Sequence, residues 1–171
     1  MRGCSKDCPE CYNQDFRKKR KVDAYSISSL YEMVMTHRKE ISGVTFSGGE
    51  PFDQAEGLYY LALHLKEAGL NIMCYSGYTL NELQNNSDSN CKNLLGEIDI
   101  LIDGPYIKNL NEPSMWKGSS NQNVYFFNKS LSVNEQHINS EIEIMIEEDG
   151  SLSISGTFRD RYMAQLLLDL T

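Results

Sequence analysis

Three observations predict an α/β fold built on a parallel sheet for this 171-residue chain. Short apolar runs at residues 43–47, 70–75 and 97–102 have the length and composition of buried strands. They alternate with stretches of helical period. Each run also ends on a glycine-bearing turn: Gly48-Gly49, then Ser76-Gly77, then Asp103-Gly104-Pro105. Strand–helix alternation of this kind gives a parallel sheet with crossover helices.

Taken in order, Ser26 or Ser28 can cap a helix that runs to about Lys39, with Leu30, Val34 and His37 on one face. The strand at 43–47 leads straight into Gly48-Gly49. Residues 54–68 form a helix with Leu58, Leu61 and Leu65 as its apolar stripe, and Gly69 ends it. A strand at 70–75 and a short helix at 80–84 follow. Residues 85–90 are a polar loop, 91–95 a helical turn and 97–102 the next strand. Further on, Ile142, Ile144 and Ile146 alternate with glutamates, and Leu152 and Ile154 with serines. Glu148-Asp149-Gly150 supplies a turn between them, which is the pattern of a β-hairpin. Residues 159–170 read as a terminal helix. The organisation expected is a core over 1–122 and an extension over 123–171 (strand, hairpin, short helix) packed on the same domain.

The chemistry is carried by Cys4-x3-Cys8-x2-Cys11 and by Ser47-Gly48-Gly49-Glu50-Pro51. Three thiolates can hold a [4Fe–4S] cluster by three irons and leave the fourth open, whereas clusters that only carry electrons are normally closed by four cysteines. Ligands of open α/β sheets bind beyond the carboxyl ends of the strands. The glycine turns there bring backbone N–H groups close to a ligand and suit a carboxylate, while Glu50 could accept from an ammonium.

Other readings of the cysteines are weaker. Structural zinc usually takes paired C-x2-C elements or histidines at ligand spacing. Here Cys74 and Cys91 are unpaired, and His37, His64 and His137 are isolated. An odd count of five cysteines and the lack of a secretory segment argue against a disulfide framework. Cys74, in an apolar run, reads as a small buried hydrophobe. No apolar stretch has the length of a membrane span, so a soluble protein is expected. The net charge of −8 argues against general nucleic-acid binding. The basic block Arg17-Lys18-Lys19-Arg20-Lys21 is either a solvated loop or a patch for an acidic partner or an electron donor.

These motifs resemble the radical S-adenosylmethionine (SAM) superfamily. More narrowly, residues 43–52, Tyr75-Ser-Gly-Tyr78, residues 101–105 and Trp116-Lys-Gly-Ser-Ser-Asn-Gln122 resemble the activating proteins of anaerobic ribonucleoside-triphosphate reductase. The resemblance implies a partial (β/α) barrel-like sheet of the radical SAM type. It would lack the family's usual N-terminal strand, because only Met1-Arg2-Gly3 precede the first cysteine. It further implies that Cys4, Cys8 and Cys11 ligate three irons and that SAM chelates the fourth. Ser47, Gly48, Gly49 and Glu50 would hold its methionyl end, and Glu10, Cys11 and Tyr12 would lie against the nucleoside part.

One electron from the reduced cluster would cleave SAM, and the 5′-deoxyadenosyl radical would take hydrogen from a backbone glycine of a large reductase subunit. Asp103 and the 116–122 loop would lie near the mouth of the site. A flavodoxin- or ferredoxin-like donor and a reducing cytoplasm are implied, with neither nucleic acid nor membrane as partner. Two alternatives stand beside this reading: a radical SAM enzyme acting on another protein, peptide or metabolite, and a non-catalytic iron–sulfur or zinc module.

Overall fold

β1 (Gly43–Phe46), β2 (Asn71–Tyr75) and β3 (Ile100–Asp103) lie side by side in parallel. β4 (Asn123–Phe126) joins β3 antiparallel, so the strand order is β1-β2-β3-β4. The protein is described by a computed structural model for residues 1–6, 8–9, 11, 14–17, 24–111, 116–132, 142–146 and 152–156. The α/β class with a mainly parallel sheet is as predicted. β3 has every residue buried, as befits a strand with neighbours on both edges and apolar side chains on both faces.

The helices follow local signals. α1 (Gln14–Arg17) is one turn. α2 (Ile27–Thr36) is capped by Ser26, whose Oγ accepts from Ser29 N at 3.0 Å, so of the two serines it is Ser26 that starts the helix. It ends three residues earlier than predicted. Beyond Thr36 the backbone closes tighter turns, with His37 N donating to Val34 O, Arg38 N to Met35 O and Glu40 N to His37 O.

α3 (Ala55–Glu67) buries Leu58, Leu61, Ala62 and Leu65 and stops where Gly69 takes φ +75°, a conformation that favours glycine. A 3₁₀ turn at Pro51–Gln54 precedes it, where the sequence suggested only a start near Gln54. α4 (Leu80–Gln84) opens with a capping box between Thr79 and Glu82. α5 (Ser89–Glu97), capped by Asp88, is longer at both ends than the turn expected at 91–95. It takes up the first residue of the segment read as strand, and β3 accordingly starts at Ile100. Asp99 between them accepts from Ile72 N at 2.8 Å and from Lys66 Nζ at 2.9 Å, which fixes α3 and β2 to the start of β3.

The core lies between the sheet and α3 and α5, around Phe46, Phe52, Leu65, Ile72, Leu94 and Leu101. Residues 1–112 and 116–132 form one compact unit. β5 (Ile142–Ile146) and β6 (Leu152–Gly156) belong to a second unit and pair antiparallel with Ile144 opposite Ile154, the pairing expected of the hairpin. The turn between them and the terminal helix expected at 159–170 lie outside the described residues. No helix among the described residues is long and apolar enough to cross a membrane.

Candidate iron–sulfur site

Because β1, β2 and β3 run in parallel, their carboxyl ends and the three turns that follow share one edge of the sheet. The N-terminal segment reaches this edge through its backbone. Met1 N donates to Ser47 O at 2.8 Å, Gly49 N donates to Met1 O at 2.8 Å, and Glu50 N donates to Gly3 O at 2.9 Å. This contact explains the double glycine. Gly48 has φ +118°, and a Cβ on it would collide with the Met1 backbone. A Cβ on Gly49 would collide with Gly3 O and lie 2.7 Å from its carbonyl carbon. Only glycine lets the two backbones approach so closely.

Cys4 therefore follows directly on a segment tied to the glycine turn. Cys4, Cys8 and Cys11 are all partly exposed thiols, and no disulfide joins the chain's five cysteines. Cys4 Sγ donates to Lys6 O at 3.4 Å. Cys11 N donates to Cys8 O at 3.3 Å, and Arg17 Nη1 reaches the same carbonyl at 2.8 Å. Arg17 thus ties the end of α1 to the cysteine loop, while Lys18, Lys19, Arg20 and Lys21 of the basic block lie outside the described residues. So do Glu10 and Tyr12, expected against the nucleoside.

Partial burial is the main cause holding the Cys4 and Cys8 thiols above their ordinary range. Nearby negative groups add to it: Glu50, Asp53 and Cys8 for Cys4, and Cys11 and Glu50 for Cys8, where Lys6 acts in the opposite sense. Three thiolates on one short loop repel one another unless a cationic group lies among them. The three soft sulfur donors in a partly shielded loop therefore fit iron of an iron–sulfur cluster. Among the described residues no three His, Cys, Asp or Glu side chains converge on a point that would hold a single metal ion. A cubane asks for less convergence, since each thiolate sits on a different iron. His37 and His64 are exposed and pair with Glu40, in the turns beyond α2, and with Glu67 on the surface of α3.

Glu50 is 1 % exposed. Its Oε1 accepts from Phe52 N at 3.1 Å and Ser76 Oγ at 2.9 Å, and its Oε2 from Gly77 N at 2.8 Å. Burial raises its pKa despite these three bonds. The carboxylate thus joins the turn after β1 to the turn after β2. Three of its roughly four lone-pair sites are engaged within the protein.

Asp103, also 1 % exposed, does the same between the next two turns. It accepts from Leu80 N at 2.6 Å and from Asn123 N and Nδ2 at 3.2 and 3.0 Å, so its bonds are with the fold. The loop after it is closed by Gln122, whose Oε1 accepts from Gly118 N and Ser119 N while Nε2 donates to Gly104 O at 2.9 Å. Asn121 Nδ2 donates to Pro105 O at 2.8 Å.

A further set of contacts on the cysteine loop has no signature in the chain's local pattern. Ser5 meets Asp53 and Tyr78, and Lys6 meets Tyr78 and Glu82. The glycine turn of residues 75–78 was a visible signal, but a serine–aspartate contact across 48 positions has no local signature.

Cys74 is fully buried in β2, and burial pushes its thiol well above the ordinary range. Cys91 lies under Phe52, its Sγ 3.7 Å from the Phe52 carbonyl oxygen. Cys74→Ala is expected to keep the full iron content of the wild type and to lose about 1 kcal/mol of stability through the small cavity. Iron assay and thermal melting check this, and loss of iron would move the ligand set into the core.

The sequence model of the 4Fe-4S single cluster domain matches residues 1–125. The anaerobic ribonucleoside-triphosphate reductase-activating protein of Haemophilus influenzae is 32% identical in an alignment of 139 residues that covers 73% of this chain and 83% of that protein. The protein of the same name in Vibrio cholerae is 30% identical over 137 residues, with 73% and 83% covered. That of Enterobacteria phage T4 is 27% identical over 128 residues, with 72% and 78% covered. An iron–sulfur domain matched over most of the chain and a relative 32% identical over 83% of its own length show the family: the chain belongs to the anaerobic ribonucleoside-triphosphate reductase-activating proteins.

Proposed function

We propose that this chain is a radical SAM activase whose target is an anaerobic ribonucleoside-triphosphate reductase. In this reading Cys4, Cys8 and Cys11 hold a [4Fe–4S] cluster with one open iron. When bound, the cluster and SAM supply a reductive cleavage whose product radical takes hydrogen from a backbone glycine of the reductase. The observation that carries the reading is the backbone pairing of residues 1–3 with the turn of residues 47–50. It sets the first thiol and the glycine turn on one edge, so that a molecule chelated at the open iron meets that turn.

In this arrangement Cys4, Cys8 and Cys11 bind the irons. Gly48 and Gly49 give the methionyl end of SAM a wall of bare backbone, and Ser47 borders it. Glu50 sets the shape of that wall and offers its remaining lone pair. Glu10 and Tyr12 would contact the nucleoside. The sheet of residues 43–126 would be the short arc of a radical SAM barrel, open enough for the reductase's glycine loop to enter. A flavodoxin- or ferredoxin-like donor and a reducing cytoplasm complete the proposal.

The test is anaerobic reconstitution with iron and sulfide, followed by SAM and dithionite. Formation of 5′-deoxyadenosine and methionine is expected. An intact cluster that yields neither product would overturn the reading.

A further inference from the structure

Two residues of the cysteine loop are pinned to elements that carry no thiol ligand. Ser5 N donates to Asp53 Oδ2 at 2.6 Å, and Ser5 Oγ lies 2.7 Å from Asp53 Oδ1, so a single carboxylate grips one residue twice. Ser5 Oγ is also 2.8 Å from Tyr78 Oη. The next residue, Lys6, rests its ammonium 3.8 Å from the centre of the Tyr78 ring and 3.2 Å from Glu82 Oε1. Its stem crosses Gly77, where a Cβ would come within 3.1 Å of Lys6 Cγ. The Lys6 carbonyl in turn receives the Cys4 thiol.

Asp53 is a fixed post although its side chain is exposed. It stands in the 3₁₀ turn Pro51–Gln54, behind the buried Pro51 and Phe52, and its N–H donates to Glu50 O at 3.2 Å. Charge-assisted hydrogen bonds of this length are the strong ones. Nothing in the fold's core depends on them, for Asp53, Ser5 and Glu82 all lie on the surface.

We infer that Asp53 is a positioning residue for the cluster: by gripping Ser5 it holds the loop that begins at Cys4 against the edge of the sheet, so that the thiols are set before iron arrives. The inference rests on the proposed cluster at Cys4, Cys8 and Cys11. Tyr78 serves the same end from the far side, through its hydroxyl to Ser5 and its ring to Lys6.

The test compares wild type, Asp53→Ala, Asp53→Asn and Glu56→Ala, each reconstituted anaerobically with ferrous iron and sulfide. Release of iron to an excess of a strong ferrous chelator is then followed. Loss of two charge-assisted bonds should make Asp53→Ala release iron about tenfold faster than wild type. Asp53→Asn, which keeps one acceptor oxygen, should fall between. Glu56→Ala, which removes a neighbouring surface carboxylate, should match wild type. The metal-free Asp53→Ala chain should melt with the wild type.

Equal release from Asp53→Ala and wild type would overturn the inference and leave the proposed function standing. Equal acceleration by Glu56→Ala would reduce the effect to net charge and overturn it too. A lowered melting point of metal-free Asp53→Ala would make its role one of general stability, which also overturns it. Failure of the wild type to take up any cluster would overturn the inference together with the proposed function.

Discussion

Cys8→Ala is expected to emerge from anaerobic reconstitution with less than about one-tenth of the wild-type iron and without the visible absorption of a cluster, because two thiolates cannot retain a cubane built for three. The effect should be confined to the metal. Cys8 is partly exposed and lies in a loop outside the core, so the metal-free variant should melt within about 0.5 kcal/mol of the wild type, as surface changes usually do. Set beside Cys74→Ala, which removes an equally soft sulfur from the buried strand β2, the pair separates ligand loss from thiol loss. A Cys8→Ala protein with full iron content would refute the assignment of the three thiols.

Glu50→Ala should act on the protein as well as on its ligand. The side chain is buried and takes donors from Phe52, Ser76 and Gly77, so its removal leaves three groups facing a hole. An orphaned buried donor costs about 1–3 kcal/mol. Burial of the carboxylate is itself unfavourable, as its raised pKa records, and that cost is relieved in the variant. A net loss of about 3 kcal/mol remains, which for a chain of this length lowers the melting temperature by about 10 °C. Iron content should stay near that of the wild type, since every thiol is retained, while SAM binding weakens by at least about tenfold. Melting curves and a SAM titration check the two arms. A variant that melts with the wild type and binds SAM as well would show that Glu50 neither joins the turns nor serves the ligand.

Much of this edge was legible in the sequence, and for physical reasons. β1, β2 and β3 could be seen because each is a short apolar run followed by a glycine turn, and β3, covered on both faces, is apolar up to Asp103. Ser26, Gly69 and the stripe of α3 are local signals, and they held. The boundaries that shifted, at Thr36 and between α5 and β3, are places where cap and turn geometry decides within one turn of helix. What escaped the sequence was the allotment of partners. Glu50 could be placed at the site from its neighbours in the chain, but its bonds to Ser76 and Gly77 arise only when β1 and β2 pair. The grip of Asp53 on Ser5 depends likewise on the contact of residues 1–3 with the glycine turn. Polar contacts between distant segments leave no periodicity behind, whereas apolar strands and helix caps do.

Two sunken acids, Glu50 and Asp103, each draw amide hydrogens from a neighbouring loop, so the three turns behave as the links of one belt. The amides of Gly77, Leu80 and Asn123, though they belong to connecting segments or element ends, are expected to exchange with water more slowly than free loop amides. A visitor docking at any one link would meet a wall already set by the other two.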